Sequence, residues 1–512
     1  MATISTMPLF LVLISLSPLA ALLLLALKTY LGKSIGDPNY PPVKGTIFHQ
    51  ISYFDRLYDH QTEVSRRFST YRLLAPNQCA YHTTNPLNVE HVLKTNFDGY
   101  TKGEYNIDNV VDLLGEGIFA VDGEKWKHQR KLASYEFSTR VLRDYSCQSF
   151  RKYAAKLVRV IWDLSAGRTR FNMQDMLMRC TLDSIFKVGF GVELNCLEGS
   201  SKEGIAFMKA FDEANALVYW RFVDVFWKLK RLLNIGCEAR LKESIKAIDL
   251  FVLRLIKIRR QQLATKSDSI EKEDILSRFL MESEMDSRKM NDKYLRDIIL
   301  NFMIAGKDTT ANTLSWFLYM LCVNPSIQER IVREIEHVIG DEQGGTNLEE
   351  FTEKMTDGVL DRMHYLHAAL SETMRLYPAV PADGRCAEKD DVLPDGYRVK
   401  KGDNVYYLTY AMGRMRNLWG EDAEDFKPER WLKDGTFQSE SPFKFTAFNA
   451  GPRICLGKDF AYRQMKIISM ALLRFFRFRL VDGAGPVTYK VMFTLHMDGG
   501  LHLQAIPRMK RL

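Results

Sequence analysis

Apolar residues recur every three or four positions through most of the chain after about residue 85, the period of amphipathic helices. Leu295–Cys322 keeps that period without a proline and predicts one long helix, which a threonine hydroxyl in AGKDTT can widen locally by diverting a backbone carbonyl. Strict alternation is confined to short stretches such as Arg398–Leu408 and Gly500–Ala505, which predict strands. Asp498-Gly499-Gly500 between extended runs predicts a hairpin turn. The charged stretch Ser269–Met285 is expected to be a solvated connection between helices, and Asp341–Thr346 (DEQGGT) a loop. The expected fold class is mainly α with a smaller β part, a single large catalytic domain after an N-terminal transmembrane helix.

The one stretch without periodicity is the first. Leu9–Leu27 (LFLVLISLSPLAALLLLAL) carries no charge, and its length suits a helix crossing a hydrocarbon layer of roughly 30 Å. A cleaved signal peptide would have a basic segment before a shorter apolar core and a small-x-small site after it; neither is present. Positive charge follows the run instead, at Lys28, Lys33 and Lys44, which predicts a cytosolic downstream chain. Asp37–Gly45 (DPNYPPVKG) cannot continue a helix and predicts a stiff spacer. The expected division is an anchor over 1–31, a proline-rich hinge over 32–45 and the catalytic domain over 46–512, at the endoplasmic reticulum membrane with a single pass.

Composition narrows the class. Of 512 residues, 46% are hydrophobic and 12% aromatic, enough for a large core and inconsistent with a disordered chain. The net charge of +8 comes without a basic cluster interleaved with stacking aromatics, which argues against nucleic-acid binding. The 8 cysteines are scattered, with no C-x-x-C pair, excluding a disulfide framework or zinc ribbon.

One cysteine has a setting of its own, FNAGPRICLG at Phe448–Gly457. A metal-binding thiolate needs nearby positive charge or the metal itself to stay deprotonated. Gly451 and Gly457 would let the backbone approach a large flat group, and Arg453 offers a fork suited to carboxylates. Such a set suits a porphyrin with propionates, ligated on one face by Cys455; an inert buried cysteine explains neither the glycines nor the arginine. Further along, Asp308 and Thr309 in AGKDTT put a carboxylate beside a hydroxyl, a pair able to relay protons. Glu372 and Arg375 in ETMR share a helix face at i and i+3, as do Trp126 and Arg130 in WKHQR at i and i+4.

These motifs, with FKPERW at Phe426–Trp431, follow the order of the cytochrome P450 family, the haem-thiolate monooxygenases, and the resemblance covers nearly the whole chain after residue 40. It implies haem b (iron protoporphyrin IX) with Cys455 as the axial thiolate, and Phe448, Gly451, Arg453, Gly457, Trp126, Arg130 and Arg385 around it. Thr309 and Asp308 would be catalytic, delivering protons to dioxygen. Glu372, Arg375 and Arg430 would form a buried structural cluster supporting the cysteine loop. Electrons would come from NADPH through a separate flavoprotein, NADPH–cytochrome P450 reductase, docked on a basic face including Lys125, Lys127, Lys131, Lys444 and Lys458.

The wording AGKDTTANTLSW and GEDAEDFKPERW resembles the plant group that oxidises fatty acids at the terminal carbon, which implies omega-hydroxylation of a long-chain lipid substrate. Ala305, Val380, Phe493 and Leu495 are the expected walls of the substrate channel, and the aromatic stretch Phe207–Trp227 its roof. Three other readings compete: a haem-thiolate isomerase or dehydratase, a monooxygenase of terpenoids or sterols, and a non-enzymatic haem sensor. GEGIFA at Gly115–Ala120 matches a dinucleotide fingerprint, but no strand precedes it and no helix opens within it, so nucleotide binding is not expected.

Overall fold

In a computed structural model the described residues are 20 and 22–509, apart from 77, 139, 167–169, 266–273, 278, 281–290, 341–346 and 482–486. Most of Leu9–Leu27, the 341–346 loop and much of Ser269–Met285 therefore lie outside them. Among the described residues no helix is long and apolar enough to cross a membrane.

Helices dominate. Those that frame the site are α1 (Glu104–Leu114), α2 (Gly123–Ser138), α3 (Arg140–Ala166), α4 (Met173–Phe190), α5 (Lys202–Trp220), α6 (Gly236–Thr265), α7 (Asp292–Gly306), α8 (Asp308–Val323), α9 (Pro325–Ile339), α10 (His364–Leu376) and α11 (Lys458–Phe475). Their ends follow local chemistry. Asn172 caps α4 by accepting from Asp175 N–H, Asn291 caps α7 by accepting from Tyr294 N–H, and Gly191 closes α4 at φ 68°. The helix α8 is the axle: Leu314, Phe317, Leu318 and Leu321 are fully buried and join one large apolar cluster with α3, α4, α7, α9 and α11. An axle buried all round must be apolar all round, so its few polar positions carry information.

The β part is mostly one sheet near the chain start. Strands β1 (Val43–Thr46), β2 (Thr70–Ala75), β3 (Gln78–Thr83), β4 (Tyr100–Thr101), β5 (Asp383–Ala387) and β6 (Asn404–Tyr407) lie in the order β1-β2-β3-β6-β5-β4. The β3–β6 contact is parallel, and β5 pairs antiparallel with both β6 and β4. This stitches residues near 100 to residues near 385. A later hairpin, β7 (Tyr489–Lys490) with β8 (His496–Met497), packs on α8.

The local widening expected at AGKDTT is found, and three other expectations need correction. The long helix is not continuous: α7 ends at Gly306 and α8 begins at Asp308. The Thr309 hydroxyl donates to Ala305 O at 2.5 Å, and the Thr181 hydroxyl to Lys307 O at 3.1 Å, drawing carbonyls out of the helical ladder. The turn at Asp498–Gly500 exists, with Gly499 and Gly500 at φ 72° and 84°, but joins two different sheets. Its first arm pairs with Tyr489–Lys490, its second with Phe476–Leu480. The described part of Ser269–Met285 is not solvated, since Ile275, Leu276 and Phe279 are buried in the main core. The spacer at 37–45 is fastened to the domain: Arg72 donates to Pro41 O at 2.8 Å, Lys33 O at 2.7 Å and Ser34 O at 2.6 Å.

Candidate active site

Cys455 lies in the turn just before α11, its N–H donating to Phe448 O at 2.8 Å. It is the exposed one of the 8 free cysteines. Its surroundings push the thiol up by desolvation. The Gly457 N–H, Arg130 and Lys458 pull in the opposite direction, toward thiolate. Cys180 and Cys322 lack such a set and are raised by burial, alone or with an acidic neighbour; at Cys147 burial and Asp357 outweigh Arg463 and Arg151. The central helix has its own accessible patch: Ala305, Gly306 and Thr309 are partly accessible, whereas most of their helical neighbours are buried. The accessible cysteine and the accessible patch in mid-helix are the two places that the sequence assigned to the reaction.

The glycines also meet packing demands. Gly451 has φ 61°, and a Cβ there would lie 1.9 Å from Leu93 O, so this glycine lets the loop close on its own neighbour. Gly457 is the N-cap of α11. Gly306 is required by packing too, since a Cβ would meet Ile185 at 2.7 Å. Phe448 is half-buried and tilts against Tyr462, ring centroids 5.2 Å apart.

Beside the loop is a cluster of cations. Arg453 donates to Val121 O at 3.0 Å and to the Asp122 carboxylate, and stacks 4.4 Å from the Trp126 ring centroid. Arg130 flanks the same ring at 5.7 Å and donates to Ile454 O at 2.8 Å. Trp126 and Arg130 are thus brought together, with the arginine holding the cysteine loop. The β4–β5 pairing adds Lys102, absent from the sequence reading: its ammonium is 3.2 Å from Asp383. Arg385, 1% exposed, donates from Nη1 to Asp383 at 3.0 Å and Gly384 O at 2.7 Å, while its Nε has no partner. Three cations, Lys102, Arg385 and Arg453, share two carboxylates, Asp383 and Asp122. Burial and Arg385 push Lys102 down to about 8, and burial and Arg385 push Arg453 down to about 10. The cluster is short of negative charge. Asp383 could have been suspected from PADGRCAE; nothing in YTKGE points to Lys102.

Behind the loop, Glu372 accepts from Arg375 Nε at 2.7 Å and Nη2 at 2.8 Å, from Trp431 Nε1 at 2.9 Å and from Lys427 N–H at 2.9 Å. Arg430 is more distant, 3.4 Å from Glu372, and pairs chiefly with Asp422 at 3.0 Å. The expected trio is present, but tryptophan and a backbone N–H complete it.

Thr309 is partly accessible, whereas Asp308 is fully buried. Its carboxylate is bound by the Lys307 ammonium, which also reaches Asp212 at 2.8 Å. Burial alone would raise Asp308, but Lys307 and His496 reverse this and hold it below the usual carboxylate range. Among the expected walls, Ala305 is half-buried and Val380 exposed. Phe493 is half-buried, edge-on to Tyr219 at 5.3 Å. Leu495 is fully buried in the core, its N–H donating to Ala379 O at 3.0 Å, so it braces the segment carrying Val380 from behind.

GEGIFA receives a packing explanation. A Cβ at Gly115 would strike Asp297, and one at Gly117 would strike Asn301. Those side chains accept from Glu116 N–H at 2.9 Å and Phe119 N–H at 3.2 Å, latching the loop onto α7. Of the expected basic face, Lys125 pairs with Glu116, Lys127 with Glu124 and Lys444 with Glu440, so much of its charge is locally compensated.

The family profile described as Cytochrome P450 matches residues 37–501. The chain is 48% identical over 508 residues to Cytochrome P450 704C1 of Pinus taeda, covering 97% of this chain and 98% of that protein. It is 45% identical to Cytochrome P450 704B1 of Arabidopsis thaliana, covering 91% and 93%. Against Cytochrome P450 86B1 of Arabidopsis thaliana the identity is 42%, covering 83% and 77%.

Proposed function

The chain belongs to the cytochrome P450 family, and on that premise we propose a membrane-anchored monooxygenase that hydroxylates the terminal methyl of long-chain fatty acids. The carrying observation is the accessible cysteine beside an anion-deficient cation cluster whose Arg385 Nε is unpartnered. These residues fit haem b: Cys455 would hold the iron, and Lys102, Arg385, Arg453 and Arg130 would meet the propionates. When bound, the haem supplies the oxygen chemistry by which O2, two electrons and two protons convert a C–H bond to C–OH with release of water.

The protein's own work is positioning and proton delivery. Thr309, at the only break in the central helix, supplies the hydroxyl, and Asp308 stands behind it as the proton-passing carboxylate. The anionic lipid end stays away from the iron because the cluster beneath is taken by propionates. A primary C–H bond is stronger than the neighbouring methylene bonds, so terminal selectivity requires a narrow channel admitting the chain end first. Ala305, Val380 and Phe493, with the aromatic neighbours Tyr219 and Phe222, are the walls for this. Burial of methylenes, about 0.8 kcal/mol each, supplies affinity.

The proposed enzyme has an anchor over 1–31, a hinge over 32–45 and a catalytic domain over 46–512, at the endoplasmic reticulum membrane. Support comes from the apolar start and from Phe226, Leu229, Leu232 and Leu233, exposed among Lys228, Lys230 and Arg231 as an interfacial surface. Electrons come from NADPH through NADPH–cytochrome P450 reductase.

The test is reconstitution in membranes with that reductase and saturated and unsaturated fatty acids. Terminal alcohols, and a red-shifted ferrous–CO Soret band abolished by Cys455→Ala, are expected. In-chain alcohols, or turnover only of sterols or terpenoids, would overturn the substrate assignment. A Soret band surviving Cys455→Ala would overturn the ligand.

A further inference from the structure

Asp308 sits where α8, α5 and the β7–β8 hairpin meet. Positions 308, 312 and 316 lie at i, i+4 and i+8, on one face of α8. At one end of that row Asp308 Oδ2 is 3.9 Å from His496 Nε2. At the other, the Trp316 indole N–H donates to Leu495 O at 2.8 Å. Asn312, between them, is therefore faced by the segment Thr494–His496.

The polar side chains along this seam are short of partners. Both side-chain polar atoms of Asn312, the Thr494 hydroxyl and His496 Nε2 are buried without a hydrogen bond. Four orphan polar atoms gathered on one face form a site that ordered water completes, since buried polar groups are otherwise costly to leave unpaired. The far side of Asp308 is closed. Lys307 bridges it to Asp212, and Asn215 donates to Asp308 at 3.3 Å while accepting from Phe493 N–H at 3.2 Å. The donor atoms of Asp212, Asp308 and His496 lie within 4.8 Å of one another, but the two carboxylates already share a cation, Lys307.

A carboxylate held ionised by a buried ammonium does not originate protons; it passes them on. Lys307, locked between two carboxylates and held above the usual lysine range by them against its burial, does not release them either. An imidazole can accept a proton on one nitrogen and release one from the other. Building on the relay role given above to Asp308 and Thr309, we propose that His496 feeds protons to Asp308 along a hydrated seam anchored by Asn312 and Thr494. The Asp212–Lys307 pair fixes Asp308 in place meanwhile. The step moves one proton and no electrons: imidazolium Nε2–H passes its proton to Asp308 Oδ2, and a proton taken up from bulk solvent and handed along the seam water restores the imidazolium. Asp308 then gives the proton to the Thr309 side and returns to carboxylate. His496 is a positioning and relay residue, since it touches neither substrate nor iron.

The experiment uses the haem-loaded full chain with reductase. His496→Gln should raise the ratio of peroxide to product several-fold and enlarge the solvent deuterium isotope effect, leaving the ferrous–CO band and the substrate-induced spectral shift intact. Asn312→Leu, which removes a water anchor and no charge, should act in the same direction and decides the matter if His496→Gln does not hold haem. A readout independent of turnover is the set of His496 ring resonances in the diamagnetic ferrous–CO protein, followed by NMR with labelled histidine. Asp308→Asn and Asn312→Leu should each shift them, because His496 Nε2 faces Asp308 across 3.9 Å and shares the seam with Asn312. If Thr309→Ala uncouples turnover while His496→Gln and Asn312→Leu do not, the inference is overturned and the relay reading stands. If Thr309→Ala also leaves coupling unchanged, the relay reading itself falls. His496 resonances indifferent to both Asp308→Asn and Asn312→Leu overturn the inference as well.

Discussion

Two buried charge clusters flank the cysteine loop, and they are built to opposite ends. Behind it, Arg375 and Arg430 are matched by Glu372 and Asp422, the further Lys427 ammonium on Asp422 being exposed to solvent, and the Glu372 carboxylate is saturated by Arg375, Trp431 and Lys427 N–H. In front, Lys102, Arg385 and Arg453 outnumber Asp383 and Asp122, and Arg385 Nε is left over. A closed cluster holds chain to chain and has nothing to offer a ligand. An open one is unfavourable by itself and becomes favourable when anions arrive. Thus surplus charge, more than the presence of charge, separates binding machinery from scaffold here.

The sharpest way to break this contrast is to unbalance the closed cluster. Glu372→Gln keeps the shape but leaves Arg375, fully buried, without its counter-charge. The expected loss is about 3–5 kcal/mol of stability, with the thermal midpoint falling by many degrees whether or not haem is bound. Thermal unfolding followed by far-UV circular dichroism measures it. A variant as stable as the parent would mean that the cluster is dispensable.

The converse substitution falls on the open cluster. Arg385→Met removes a surplus cation, so the haem-free fold should lose little or gain slightly. Haem should leave faster by about ten- to a hundredfold, the range for losing a charge-assisted contact of 1.5–3 kcal/mol. Transfer of haem to a scavenging globin gives the rate. If Arg385→Met instead destabilised the haem-free protein as much as Glu372→Gln, the two clusters would be of one kind.

How far the sequence displayed this contrast depends on spacing. The closed pair Glu372 and Arg375 was legible because both partners lie within one helical turn, and Cys455 because its glycines and arginine are contiguous with it. Lys102 was not, since only the β4–β5 pairing carries it to residues some 280 positions away. The break at Lys307 was half legible: the threonine was visible, but the second hydroxyl comes from Thr181 on another helix. The packing partners of the glycines were hidden for the same reason. Gly451, Gly306, Gly115 and Gly117 face the protein's own Leu93, Ile185, Asp297 and Asn301, partners that tertiary packing alone selects. Local chemistry is written locally; which neighbour a small residue makes room for is not.

The smallest expected effect is also the most specific to the open cluster, and it is a matter of sign. Lys102 is pushed down to about 8 by burial and by Arg385, against the partial help of Asp383. In the unfolded chain its value returns to roughly 10.4. Between those two values the unfolded state holds a proton that the folded state has given up, so stability should rise with pH across the window. Below it both states are protonated, and the folded one bears the full penalty. With propionates in place Lys102 gains an anion, its proton is retained, and the rise should flatten. Urea unfolding of haem-free protein from about pH 7.5 to 9.5 should therefore show an upward slope of no more than about 1.4 kcal/mol per pH unit. Lys102→Met should remove that slope, as should haem. A slope that persists in Lys102→Met belongs to other alkaline groups, and one that persists with haem bound would mean that no anion reaches Lys102, which would leave the surplus charge of the front cluster without its explanation.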